Sequence, residues 1–307
     1  MAYLMGIDLG STSIKAVVYD ETGNMIACGS QPTPLTHDNP DQPTWCVWDP
    51  KRIWDCVVYA SMEATSKIKN VEEIKAVAVT GFGMDGLPMD RDGNPLYPMI
   101  SWHCPRTIPQ YEAFTRRIGA ENIFHRTGKR AQAIDTIYRM QWVQENHPEI
   151  MDATDKWLLI EDYINYMLCG VKATDYSMAT CTSAFDQRTH DWCDDLLREA
   201  GISKSIFPKA YQAGRVLGTI LPMAARETGL APGTVWSWAD TTTSVLPWLP
   251  APSMNRCCWT SPAPGRCWCW QRIRSASPTS STRAATTWRA MWPRTSAAMW
   301  AAPSAAT

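Results

Sequence analysis

The sequence predicts an α/β protein: residues 1–233 form a mixed sheet flanked by helices, and residues 234–307 have the composition of no ordinary domain. Three observations carry this. Residues 3–20 place two apolar runs about a glycine turn, which reads as strand, turn, strand. Residues 76–80 are a short, wholly apolar run of the kind buried on both faces of a sheet. From Pro109 onward the apolar spacing turns helical. The 307 residues, 45% of them hydrophobic, suffice for two domains and a sizeable core.

The opening hairpin pairs residues 3–7 with 14–19 around Asp8-Leu9-Gly10-Ser11-Thr12-Ser13. Gly10 lets the backbone turn where a side chain would clash, and the hydroxyl residues after it gather N–H and O–H donors into one concavity. Such a concavity holds phosphate. Asp8, at the strand end, suits a hydrated Mg²⁺ against the same phosphates, and Lys15 supplies positive charge. The same residues also make an ordinary hairpin, and this stretch alone does not separate the two readings.

A glycine turn at 20–24 leads to a third strand at 25–29, so the three strands form a sheet edge. Residues 31–46 read as a surface loop. Asp49-Pro50 starts a helix with Ile53, Cys56, Val57, Ala60 and Ala64 on one stripe. After the strand at 76–80, the turn Asp92-Gly93-Asn94-Pro95 predicts a hairpin of 87–90 with 96–100. This brings Asp85, set between glycines, toward Trp102-His103-Cys104-Pro105-Arg106. An acid, an indole face and a guanidinium fit a polyhydroxylated ligand; a structural Asp85–Arg106 salt bridge beside a core Trp102 fits the residues too.

Helices are predicted at 110–118, 134–145, 157–168 and 192–200, with Gly119, Gly128, Gly170 and Gly201 as stops. His125 and His147 read as surface or cap residues. Asp175-Tyr176-Ser177-Met178-Ala179-Thr180 is a polar elbow, either returning to a cleft or closed by Asx and Ser hydrogen bonds. A strand at 215–220 and a helix at 222–228 complete the part.

The seven cysteines before residue 234 show no CxxC or Cys/His metal spacing and read as free thiols. No apolar run is long enough to span a bilayer and no secretory leader is seen, so the expected setting is the cytoplasm, with neither membrane nor nucleic acid as partner. The free sheet edge makes a homodimer an expectation.

Together, residues 8–15, the 80–86 strand end, Ile100-Ser101-Trp102-His103-Cys104-Pro105-Arg106-Thr107 and residues 174–179 resemble the N-terminal domain of the FGGY carbohydrate kinases, in order over residues 1–233. The resemblance implies an actin-like ATPase fold built on ribonuclease-H-like sheets, with a cleft between two domains. It implies MgATP-dependent transfer of the γ-phosphate to a hydroxyl of a ketose or polyol. It places Asp8 at the metal, and Gly10, Ser11, Thr12 and Lys15 at the phosphates. Asp85, Trp102 and Arg106 fall in the sugar pocket, with His103 and Thr136 beside them. A non-catalytic sugar- or partner-binding domain is the alternative, and a chaperone-like ATPase is disfavoured by the 102–107 segment.

The family's general base, an Asp in a Gly-Gly-His-Asp turn, would follow Gly233, and no such turn is written there. Residues 234–307 instead hold nine of the sixteen Trp, seven Arg, no Lys and one acid, Asp240. Starting each codon at the third base of the present one, residues 238–242 permit Gly-Gly-His-Asp. Residues 257–270 permit Leu-Leu-Asp-Val-Thr-Gly-Thr before an apolar run. The expectation is therefore an out-of-frame, disordered tail with no intact catalytic base, Asp240 being a poor substitute among Trp, Ala and Thr.

Overall fold

The computed structural model describes residues 2–238. The chain opens with strands β1 (Tyr3–Leu9), β2 (Ser13–Asp20) and β3 (Met25–Pro32), then the short β4 (Leu35–His37) and β5 (Cys46–Trp48). Helix α1 (Pro50–Thr65) follows, then β6 (Ile74–Gly81), β7 (Gly86–Met89) and β8 (Met99–Ile100). A helical stretch holds α2 (Ile108–Ile118), α3 (Ala120–Thr127), α4 (Thr136–Asn146) and α5 (Pro148–Ala153). Next come β9 (Lys156–Leu159), α6 (Ile160–Cys169), β10 (Ala173–Asp175), α7 (Tyr176–Thr180), β11 (Phe185–Asp186), β12 (Asp191–Trp192) and α8 (Asp194–Ala200). The last elements are β13 (Lys209–Tyr211), β14 (Val216–Thr219), α9 (Pro222–Thr228) and β15 (Val235–Trp238).

The central sheet has the order β14-β15-β6-β1-β2-β3. It is mixed as predicted: β1 pairs antiparallel with β2 but parallel with β6, and β15 is parallel to β6. Alternation sets the faces. Met5, Ile7, Leu9, Ile14, Ala16 and Val18 are buried in one apolar cluster with α1, α6 and α9, while Asp8 and Lys15 lie on the opposite face. Helix α1 is fixed at its start by Asp49, whose Oδ1 accepts the Arg52 N–H at 3.0 Å, and by Pro50 in its first turn. It buries Ile53, Val57, Ala60 and Ala64, each large apolar side chain contributing about 1.5–3 kcal/mol. Gly29 is required where β3 meets α1, because a Cβ there would overlap the Ala60 carbonyl.

Several local expectations change. Residues 76–80 are not buried on both faces: Val77 and Val79 are buried, whereas Ala76 and Ala78 are half-buried. The 92–95 turn forms, with Gly93 at positive φ, but β7 pairs with β9 and β8 pairs with β5, so no 87–90/96–100 ladder exists beyond a bridge of Met89 and Pro95. The 157–168 helix begins only at Ile160, because the apolar run Trp157-Leu158-Leu159 is a buried strand against β7. Short β4 and β5 and helix α3 were not foreseen; Gly119 both ends α2 and starts α3. Just past residue 233, Val235–Trp238 is a strand of the central sheet with Trp236 fully buried. The rest of the 234–307 stretch, Asp240 included, lies outside the described residues.

A second apolar cluster gathers α2, α4, α8 and the segment around Phe207, and it backs the loops that follow β6 and β8. All seven cysteines in the described residues are free thiols.

Candidate functional site

Parallel pairing of β1 with β6 decides where the chemistry gathers. Asp8 is level with Thr80 and Leu9 with Gly81, and the Phe82 N–H donates to the Leu9 carbonyl at 3.2 Å. The 10–13 turn and the 82–85 loop therefore leave the sheet at the same edge. β15 runs toward that edge too, with Trp238 opposite Val79.

On the hairpin side, Asp8 and Lys15 are direct cross-strand partners, both half-buried. Burial pushes the Asp8 carboxyl up from its ordinary range, and the Lys15 charge opposes that. A Cβ on Gly10 would sit 2.6 Å from the Ser13 carbonyl, so the turn is a cradle that only glycine leaves open. Thr33 braces it from outside: its hydroxyl donates to the Gly10 carbonyl at 2.6 Å and its N–H to the Thr12 carbonyl at 3.0 Å. Bracing through carbonyls uses none of the turn's N–H groups, which are the donors a phosphate needs. The described residues contain no cluster of three or more metal-ligating side chains. Asp8 alone, a hard oxygen donor, suits a cation that keeps its water shell, as Mg²⁺ does.

On the loop side the five predicted pocket residues separate. Trp102 and His103 are exposed and stacked, ring centroids 3.7 Å apart at 29°, and the Trp48 ring lies 6.4 Å from His103. Asp85 stands behind this platform, fully buried. Its Oδ2 accepts the Trp48 indole N–H at 2.6 Å and the Trp102 backbone N–H at 2.9 Å. Its Oδ1 lies 3.2 Å from Arg139 Nη2, near enough for an ion pair but not aligned as a hydrogen bond. Burial raises the Asp85 carboxyl, the Arg139 charge opposing it most; burial likewise lowers the Arg139 guanidinium.

Arg106 and Thr136 do not join the platform. Arg106 is buried, donates to Asp38 Oδ1 at 2.5 Å, and lies over the Trp45 and Trp142 rings at 4.5 and 5.1 Å. The salt bridge read as Asp85 with Arg106 is thus two separate pairs. The Thr136 hydroxyl is turned inward and donates to the Met84 carbonyl at 2.7 Å. Asp175 caps α7, accepting the Ser177 and Met178 N–H groups at 2.6 and 3.2 Å, which settles the elbow as an Asx-type turn. His147 joins α4 to α5 and His125 is exposed, as predicted.

Trp48 and Arg139 escaped the sequence reading. Trp48 ends the apolar triplet Cys46-Val47-Trp48 just before a helix cap, and Arg139 is a charge in the largely apolar run Ile137 to Val143. That misfit was the available signal.

Residues 3–245 match the sequence profile of the N-terminal domain of the FGGY family of carbohydrate kinases. An L-fuculokinase of Escherichia coli (strain K12) is 32% identical over 234 residues, covering 75% of this chain and 48% of that protein. A glycerol kinase of Thermococcus gammatolerans is 31% identical over 221 residues, covering 70% and 44%. Among solved structures, a xylulose kinase from Rhodospirillum rubrum superposes with a TM-score of 0.72 at 25% identity, over 77% of this chain and 48% of that one. The chain thus spans about half the length of the curated relatives it matches.

Proposed function

The chain belongs to the FGGY family of carbohydrate kinases, and we propose that it supplies the sugar- and phosphate-binding half of a kinase that moves the γ-phosphate of ATP to a hydroxyl of an L-fuculose-like ketose or polyol. One observation carries this reading: the β1–β6 register sets the Gly10 turn and the 82–85 loop side by side, and Asp85 of that loop holds the Trp102 N–H at 2.9 Å. Gly10, Ser11, Thr12 and Lys15 would take phosphate oxygens, and Asp8 would hold Mg²⁺, which when bound neutralises phosphate charge. Trp102 and His103 would offer an apolar face to sugar C–H groups. Asp85, fully buried, would hold this face from behind through its bonds to the Trp48 indole and the Trp102 N–H.

The proposal extends to the end of the chain. The family match runs to residue 245. With no Gly-Gly-His-Asp turn written after Gly233 and Asp240 a poor substitute among Trp, Ala and Thr, no catalytic base is intact and this chain by itself is weakly active or inactive. ADP release from ATP in the presence of L-fuculose, D-xylulose or glycerol tests this. Turnover at an ordinary kinase rate would contradict the loss of the base. Sugar binding without turnover supports the alternative, a non-catalytic sugar-binding domain.

A further inference from the structure

Resting on the reading of the 82–85 loop as a sugar-pocket wall, we propose that Arg139 is the positioning residue of that pocket: from α4 it fixes Asp85 and, through Asp85, the backbone of Trp102. Arg139 is fully buried, and its guanidinium ties two segments distant in sequence to the turn before its own helix. Nε donates to the Ile100 carbonyl at 2.9 Å, Nη1 donates to the Ile134 carbonyl, and Nη2 faces Asp85 Oδ1 at 3.2 Å. Ile100 ends β8, two residues before Trp102. Thr136, one turn earlier on the same helix face, donates to the carbonyl of Met84, the neighbour of Asp85. The same helix thus holds both the strand that delivers Trp102 and the loop that delivers Asp85.

The hydrogen bonds of Asp85 complete the tether. Its Oδ2 takes the Trp102 N–H and the Trp48 indole, and its backbone carbonyl takes the Ile160 N–H at 2.8 Å. Arg106, in the segment that carries Trp102, is committed to Asp38 and does not substitute. A planar, multi-donor guanidinium can serve two carbonyls and a carboxylate at once; an ammonium keeps the charge but not that fork. Arg139 touches no ligand in this arrangement. Its part is to hold the exposed platform and the Asp85 Oδ1 in a fixed relation.

Hydrogen exchange of the full chain, followed by mass spectrometry on peptides spanning Ile100, Trp102 and Cys104, reads the tether without any ligand. In Arg139→Gln the Trp102 amide should exchange roughly tenfold faster or more beyond any loss of protection that β1 to β3 and α1 share. Arg139→Lys, which retains the charge if the Gln variant fails to fold, should recover part of it. In an Asp85→Asn background the Arg139→Gln change should add nothing further at Trp102. Unchanged exchange at Trp102, or a loss spread evenly over all elements, would overturn the proposal. L-fuculose titration separates this from the pocket reading: the wild type should bind and Arg139→Gln bind at least about tenfold more weakly. A wild type that binds no sugar, with the exchange pattern as expected, would overturn the pocket assignment and leave the tether standing.

Discussion

On the hairpin side of the site edge, Asp8, Gly10, Ser11 and Lys15 are half-exposed and Thr12 is exposed, whereas on the loop side Asp85, Thr136 and Arg139 are wholly buried while Trp102 and His103 reach solvent. The hairpin presents small residues and backbone donors directly, and its shape depends on a missing side chain at Gly10. The loop side presents an aromatic face whose place depends on a polar frame that no solvent reaches. Damage to the two sides should therefore differ in degree: on the hairpin, affinity is lost at the smaller cost in stability; in the frame, both fail together.

The largest effect is expected at the frame. Arg139→Gln leaves a buried carboxylate without its partner and should cost about 3–5 kcal/mol of unfolding free energy, measured by denaturant titration. That deficit should shrink as pH falls. Burial already raises the Asp85 carboxyl, and removing Arg139 raises it further, leaving His103 as the other nearby cationic group, so protonation relieves the variant first. A deficit independent of pH would contradict the buried ion pair.

Gly10→Val sharpens the contrast from the other side. Its Cβ would press on the Ser13 carbonyl, 2.6 Å away, at a cost of about 1–3 kcal/mol, while ATP affinity measured by calorimetry should fall beyond detection. Retained ATP binding would remove the cradle from the phosphate site. Trp102→Ala should leave stability within about 0.5 kcal/mol, as expected for a surface position, yet weaken sugar binding about tenfold or more. A large stability loss would make Trp102 a core residue instead.

The smallest effect lies away from the site. Asp20, at the β2–β3 turn, accepts the Thr22 hydroxyl and N–H and the Asn24 N–H and side-chain amide, which hold its carboxyl down at about 2. With the folded value depressed, its contribution is complete above the ordinary carboxylate range and is lost as pH falls toward 2. The stability gap between wild type and Asp20→Asn should accordingly be present at neutral pH and close in acid.

The hairpin was legible because its signal is local: a strand, a glycine turn and a returning strand lie within eighteen residues, and the apolar alternation of Met5, Ile7 and Leu9 fixes the face of Asp8. Parallel pairing of β1 with β6 was not, because nothing in residues 3–9 specifies a partner some seventy residues on. The frame was hidden for the same reason. Arg106 and Asp85 lie near one another in sequence and invite pairing, but Trp45 and Trp142 offer Arg106 an aromatic slot beside Asp38, and Arg139 reaches Asp85 from a helix more than fifty residues later. Trp157-Leu158-Leu159 was read as helix because a short apolar run fits either element; β7 as a strand partner decided it.

The central claim, a sugar site walled by the Trp102–His103 platform that Asp85 holds from behind, is tested most directly by titrating L-fuculose, D-xylulose and glycerol calorimetrically into the wild-type chain and into Trp102→Ala. The account predicts saturable binding of at least one of these by the wild type, with L-fuculose the tightest, and its loss or marked weakening in the variant. No binding of any of them, or equal binding by both proteins, would contradict it.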